Sequence, residues 1–199
     1  MKIKSKFWLV VAATLVLSGC STSVERLDAQ QQIDLSGAWN DTDSQLVARE
    51  MVDDALSRAW ITKFVKTQGK DPAVIVGRIK NLSHEHINTN AFIANIEREL
   101  INSGEVQFVA SSGARQEIRD ERADQDLNAT EATRKEMGQE YGADYMMQGQ
   151  INTIIDVDGT TQVRFYQVNL ELISIKDNRK VWVGEKKIKK LVKNSKLRE

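Results

Sequence analysis

The chain has 199 residues, of which 28 are Lys or Arg and 28 are Asp or Glu, so its net charge at pH 7 is zero. A balanced charge excludes a generally basic nucleic-acid-binding surface. A single cysteine in the whole chain excludes a disulfide framework.

The N-terminus is organised as an export signal. Lys2, Lys4 and Lys6 precede the eleven-residue apolar run FWLVVAATLVL (Phe7 to Leu17), and the small residues Ser18 and Gly19 follow. Eleven apolar residues fall short of the about 20 needed to span a bilayer. Leu17-Ser18-Gly19-Cys20 resembles the lipobox of bacterial lipoproteins. That resemblance implies residues 1–19 as a signal peptide, cleavage before Cys20, and acyl chains on its thiol. It also accounts for a lone cysteine, which cannot pair. Two or more buried chains anchor a protein stably. Ser21 stands where Asp would retain a lipoprotein at the inner membrane, so the expected location is the outer membrane, facing the periplasm.

Residues 20–42 read as the lipidated cysteine and a polar tether, with Ile33, Leu35 and Trp39 as residues able to dock on the domain and shorten it. The 22 residues after Cys20 span roughly 25 Å as a coil and at most about 75 Å when extended. Residues 43–199 read as one domain. Leu46, Val47, Met51, Val52, Ala55, Leu56, Ala59 and Trp60 recur at helical spacing, which predicts one helix of about 20 residues capped at Thr42 or Asp43. Asp71-Pro72 breaks the chain, and residues 73–80 read as a buried strand. NLSHEHIN (81–88) is a loop. Residues 89–103 form a helix with Phe92, Ile93, Ile96 and Leu100 on one face, closed by Gly104. Residues 106–110 are a short strand, and the charged stretch 111–129 is a partly exposed helix and loop. A helix is expected over 130–141. A meander follows: a strand over 144–157, a two-residue turn at Asp158-Gly159, a strand over 161–175 with Val168, Leu170 and Leu172 facing inward, and a strand over 180–188. The order predicts a mixed α/β or α+β fold: a single small domain with about five strands in a mixed sheet and helices mainly on one face.

Catalytic equipment is sparse. There is no G-x-S-x-G elbow, phosphate loop or H-E-x-x-H, and only two histidines are present. Asp156 and Asp158 sit at a turn that favours Asp anyway. His84-Glu85-His86 is the most chemical-looking triplet, yet a tight metal site wants a third or fourth ligand that the sequence does not supply. No metal or cofactor is expected. Asn81, Ser83, His84, Glu85 and His86 are instead taken as a partner-contact loop, since loops carry recognition. The basic stretch 186–198 reads as the end of an edge strand with protective lysines and a tail, and secondarily as a surface for anionic headgroups or acidic wall polymers.

Three stretches together resemble one family. VIVGRIKNLSHEHINTNAFIANIERELINSG (74–104), Gly142-Ala143-Asp144-Tyr145 before a strand, and Lys180-Val181-Trp182-Val183-Gly184 are similar to segments of the LpoB lipoproteins that activate penicillin-binding proteins. The resemblance implies a non-catalytic outer-membrane lipoprotein that reaches across the periplasm to a class A penicillin-binding protein and stimulates peptidoglycan synthesis. The curli secretion lipoprotein has a similar domain, and a structural or assembly role in a secretion or envelope complex is the alternative. The tether departs from the family's proline-rich one: the sole proline, Pro72, lies in the domain.

Overall fold

The computed structural model describes residues 24–28, 31, 33–135 and 140–193. The expected signal peptide and Cys20 lie outside the described residues. Ile33–Glu199 forms one compact unit. Its order is α1 (Asp41–Leu56), α2 (Ala59–Gln68), β1 (Ala73–Leu82), α3 (Thr89–Ser103), β2 (Gln107–Phe108), α4 (Ser112–Asn128), β3 (Tyr145–Asp158), β4 (Thr161–Ser174) and β5 (Lys180–Lys193). The sheet runs β2-β1-β3-β4-β5, with β2, β1 and β3 parallel and β3, β4 and β5 an antiparallel meander. The expected mixed five-stranded α+β domain is what forms.

The first helix departs from the single long one read in the sequence. It starts earlier, at Asp41, because Asn40 is its cap: the Asn40 side chain accepts from the Asp43 N–H, and the Asp43 carboxylate accepts from the Asn40 N–H. It then stops at Leu56, and α2 begins at Ala59. The break uses neither Gly nor Pro. The Trp60 indole N–H turns back and donates to the Ala55 carbonyl at 2.7 Å, satisfying one of the acceptors that a helix end leaves open. Periodicity continued through the break because Trp60 still faces the core. Leu46, assigned to the apolar face, is exposed.

Helices α1 and α3 pack together on one face of the sheet. Val47, Val52, Phe92, Ile96 and Leu100 meet Val74, Met147, Ile151, Val168, Leu170 and Leu172 in a continuous core. The alternation expected for β4 holds: Val168, Leu170 and Leu172 are buried and their neighbours half-buried. Trp182 of β5 donates its indole N–H to Asp54 of α1 at 2.7 Å, and its ring occupies the space a side chain at Gly184 would need. Only glycine fits there.

Three further differences are local. Residues 131–133 form a turn and none of the described residues in 130–141 is helical. The hairpin loop is Gly159-Thr160, one residue later than read, because Asp158 pairs with Thr161, and Gly159 takes the positive φ of 55° that the tight turn requires. Strand β5 continues five residues beyond Ile188, since β4 offers a partner at every step to Thr161↔Lys193.

Candidate interaction surfaces

The loop after β1 is built from its own polar groups. Asn81 Oδ1 accepts from the Ser83 hydroxyl at 2.6 Å and the Ser83 N–H at 3.0 Å, while Asn81 Nδ2 donates to the Glu85 carbonyl at 2.8 Å. These bonds form the side-chain-to-backbone turn that Asn and Ser favour, and they direct the Glu85 carboxylate inward. There Oε1 accepts from Arg164 Nη1 and lies against the Tyr166 hydroxyl, both at 2.8 Å, and Oε2 accepts from the Trp39 backbone N–H at 3.1 Å. The Glu85 and Arg164 side chains are 18% and 21% exposed, so the pair is largely withdrawn from water. Burial, reinforced by the hydrogen bond to Glu85, pushes the Tyr166 hydroxyl up to about 12.

The five residues predicted for partner contact therefore divide. Asn81, Ser83 and Glu85 spend their polar atoms inside the protein. His84 and His86 are exposed, and the His84 ring lies with Nδ1 3.0 Å from Thr153 Oγ1. Among the described residues no three His, Cys, Asp or Glu side chains are grouped to hold a metal ion. Glu85 joins three distant parts of the chain, and sequence spacing carries no signal of this because its partners lie 46, 79 and 81 residues away.

The segment before α1 is fastened at a second point. Lys190 of β5, with its side chain 11% exposed, reaches Asp34 and Asp43, each at 2.6 Å, and donates to the Ala38 carbonyl. Burial works against the Lys190 charge, but the two carboxylates outweigh it and the net shift is upward. The Trp39 ring packs edge-on against Phe92 and Tyr166, and its indole N–H donates to Ser44 Oγ at 2.7 Å. Leu35, by contrast, is 93% exposed.

The sheet face turned away from α1 and α3 is polar at its centre and bordered by the exposed side chains of Leu82, Ile154 and Val183. Its cross-strand rows include Lys80↔Gln150↔Asn169↔Glu185 and Asn152↔Gln167↔Lys187, and a shallow cleft of about 290 Å³ lies over its centre. Glu171 is held there by Lys180 and Gln148, and Glu185 by Gln167 and Lys187. A second, larger cleft of about 740 Å³ lies at the other end of the fold, between α2 and the β4–β5 turn, with Trp60, Phe64 and Tyr145 in its wall. Among the described residues no helix is long and apolar enough to cross a membrane.

The family model "Peptidoglycan-synthase activator LpoB" matches residues 43–188. No curated protein matches the sequence. Among solved structures, the LpoB C-terminal domain from Escherichia coli is similar at 15% identity over 73% of this chain and 98% of that chain, with a TM-score of 0.46. The lipoprotein GNA1162 from Neisseria meningitidis is similar at 14% identity over 62% and 86%, with a TM-score of 0.42. The NMR structure of E. coli LpoB gives 12% identity over 90% and 85%, with a TM-score of 0.40. At such values these likenesses assign no residue a role.

Proposed function

Because the chain belongs to the LpoB family of peptidoglycan-synthase activators, we propose that it is a non-enzymatic lipoprotein of the outer membrane that binds the periplasmic part of a class A penicillin-binding protein and raises its rate of peptidoglycan synthesis. The family match over residues 43–188 carries this reading. The lipobox at Leu17–Cys20 supports the anchor and Ser21 supports the outer membrane. The loop around His84 and His86 is the proposed contact, since their side chains are exposed on a turn whose shape is fixed from within.

The chemistry of the described side chains fits a binding protein. The most strongly raised group, the Tyr166 hydroxyl at about 12, is one that stays protonated and silent at neutral pH. Glu85 is committed to three internal donors, which suits a structural tie better than a general base.

The test is a glycan-polymerisation assay with a purified class A penicillin-binding protein and the chain lacking residues 1–20. Stimulation that saturates with added protein is expected. An unchanged rate at saturating concentration would remove the reading. Co-purification with channel or assembly subunits, and with no synthase, would favour the assembly role. Replacing both His84 and His86 by Ala should weaken binding at least tenfold without moving the unfolding midpoint.

A further inference from the structure

The open sheet face carries a pattern that the fold does not explain. Gln150 and Asn152 of β3 stand in register with Asn169 and Gln167 of β4, so four amide side chains occupy adjacent positions on one side of the two central strands. Asn is depleted in strands, where β-branched and aromatic residues fit better. A face that only needed water would be served by Thr, Lys or Glu. Beside the amides stand two cations of β1. A register shift between Val76 and Ile79 sets Arg78 and Lys80 on this side while Ile79 enters the core. Among the described residues no hydrogen bond or ion pair engages the side chains of Arg78, Lys80, Gln150 or Asn152. The acids of the same face, Glu171 and Glu185, are already taken up by their neighbours.

We propose that this face, centred on Gln150, Asn152, Arg78 and Lys80, binds the glycan strand of peptidoglycan. Two unmatched amides, Gln150 and Asn152, and two free cations are costly to cover with a protein surface that leaves them without partners, whereas Gln167 already bonds to Asn169 and to Glu185. A polymer of N-acetylated amino sugars brings a hydroxyl or acetamido group to nearly every amide. Its peptide substituents bring carboxylates, complementary to Arg78 and Lys80. The shallow cleft of about 290 Å³ suits a strand lying across the sheet rather than a small molecule enclosed by it. The choice of peptidoglycan among acidic glycans rests on the activator reading; the binding of such a glycan does not.

The experiment uses the full chain in detergent micelles, pelleted with purified peptidoglycan sacculi. Wild-type protein should pellet with them. Soluble glycan–peptide fragments with free carboxylates should compete, chitin oligosaccharides less well, and alginate, which lacks acetamido groups, not at all. The pair Gln150→Ala and Asn152→Ala should lower affinity at least tenfold, and Lys80→Glu by a similar factor. Circular dichroism and the unfolding midpoint serve as checks that these exposed substitutions leave the fold intact. Absence of pelleting above the micelle control, equal competition by alginate, or undiminished binding by all the variants would each overturn the proposal. Synthase stimulation is measured on the same samples. Sacculus binding without stimulation defeats the activator reading alone. Stimulation that the variants abolish, in a protein that never pelleted, makes the face a protein contact and ends the glycan proposal.

Discussion

Helices α3 and α4 have similar lengths, 15 and 17 residues, and each follows a strand of the parallel half of the sheet. They differ in nearly everything else. Helix α3 places Phe92, Ile96 and Leu100 in the core, all under 2% exposed. Helix α4 buries no residue. It is held to the rest of the molecule chiefly through its arginines: Arg119 makes a two-pronged pair with Glu140 at 2.7 Å, and Arg115 lies 3.6 Å from the same carboxylate. Apolar burial sustains α3 at any ionic strength, whereas α4 depends on exposed pairs, which are weak and screened by salt. Two helices of equal regularity thus belong to different levels of stability.

The sharpest way to break this contrast is to remove the apolar anchor of α3. Phe92→Ala should cost about 3–5 kcal/mol, read from urea denaturation, while Ile118→Ala in α4, at a side chain 46% exposed, should fall within about 0.5 kcal/mol of wild type. Equal losses would show that α4 shares the core's cooperativity. A smaller effect, about 1–3 kcal/mol, is expected for Glu85→Ala, which leaves Arg164 Nη1 and the Trp39 N–H without their acceptor and Tyr166 with the Gly37 carbonyl at 3.2 Å alone. It should also speed proteolysis between Ile33 and Asn40, and unchanged cleavage there would mean that the hub does not hold the segment.

Alkali tests the same side of the molecule. The Tyr166 hydroxyl is raised from 10 to about 12 in the folded state, so between those values the unfolded chain has lost a proton that the folded chain keeps. Stability should fall as pH rises through that window, and Tyr166→Phe should flatten the fall. The smallest effect belongs to α4: Arg119→Ala should leave the global midpoint in place, because the pair it breaks is exposed and screened, yet raise amide exchange along residues 112–128. An exchange rate in α4 that stays as slow as in α3 would contradict the division.

The same contrast explains what was legible in the sequence. Helix α3 was read with its bounds and buried face correct, because its apolar spacing and its packing coincide. Helix α4 was read as partly exposed from its charge. Misreadings arose chiefly where a pattern had a tertiary partner that local spacing hides. Residues 130–141 have the spacing of a helix, but the described residues among them form none. The helix of about 20 residues divides at Ser57 because one indole returns to Ala55. The basic stretch 186–198 reads as the end of an edge strand and a tail, yet Lys190 is among the most buried cations described. Glu85 reads as part of a contact loop, and its role as a tie depends on residues from both sides of the chain.

The fastening of the segment before α1 changes the mooring geometry. Asp34, bound to Lys190, holds the segment to the body of the domain, so the lipid proposed on Cys20 would lie only fourteen Cα-to-Cα steps from that point. Covalent geometry limits those steps to about 50 Å in total, against the 75 Å available to a line running as far as Thr42. The strands of 14 residues are themselves about 46 Å long. With the proposed anchor, the domain would supply nearly as much of the working span as its leash, and the end of the meander turned away from the membrane would decide which partner comes within range.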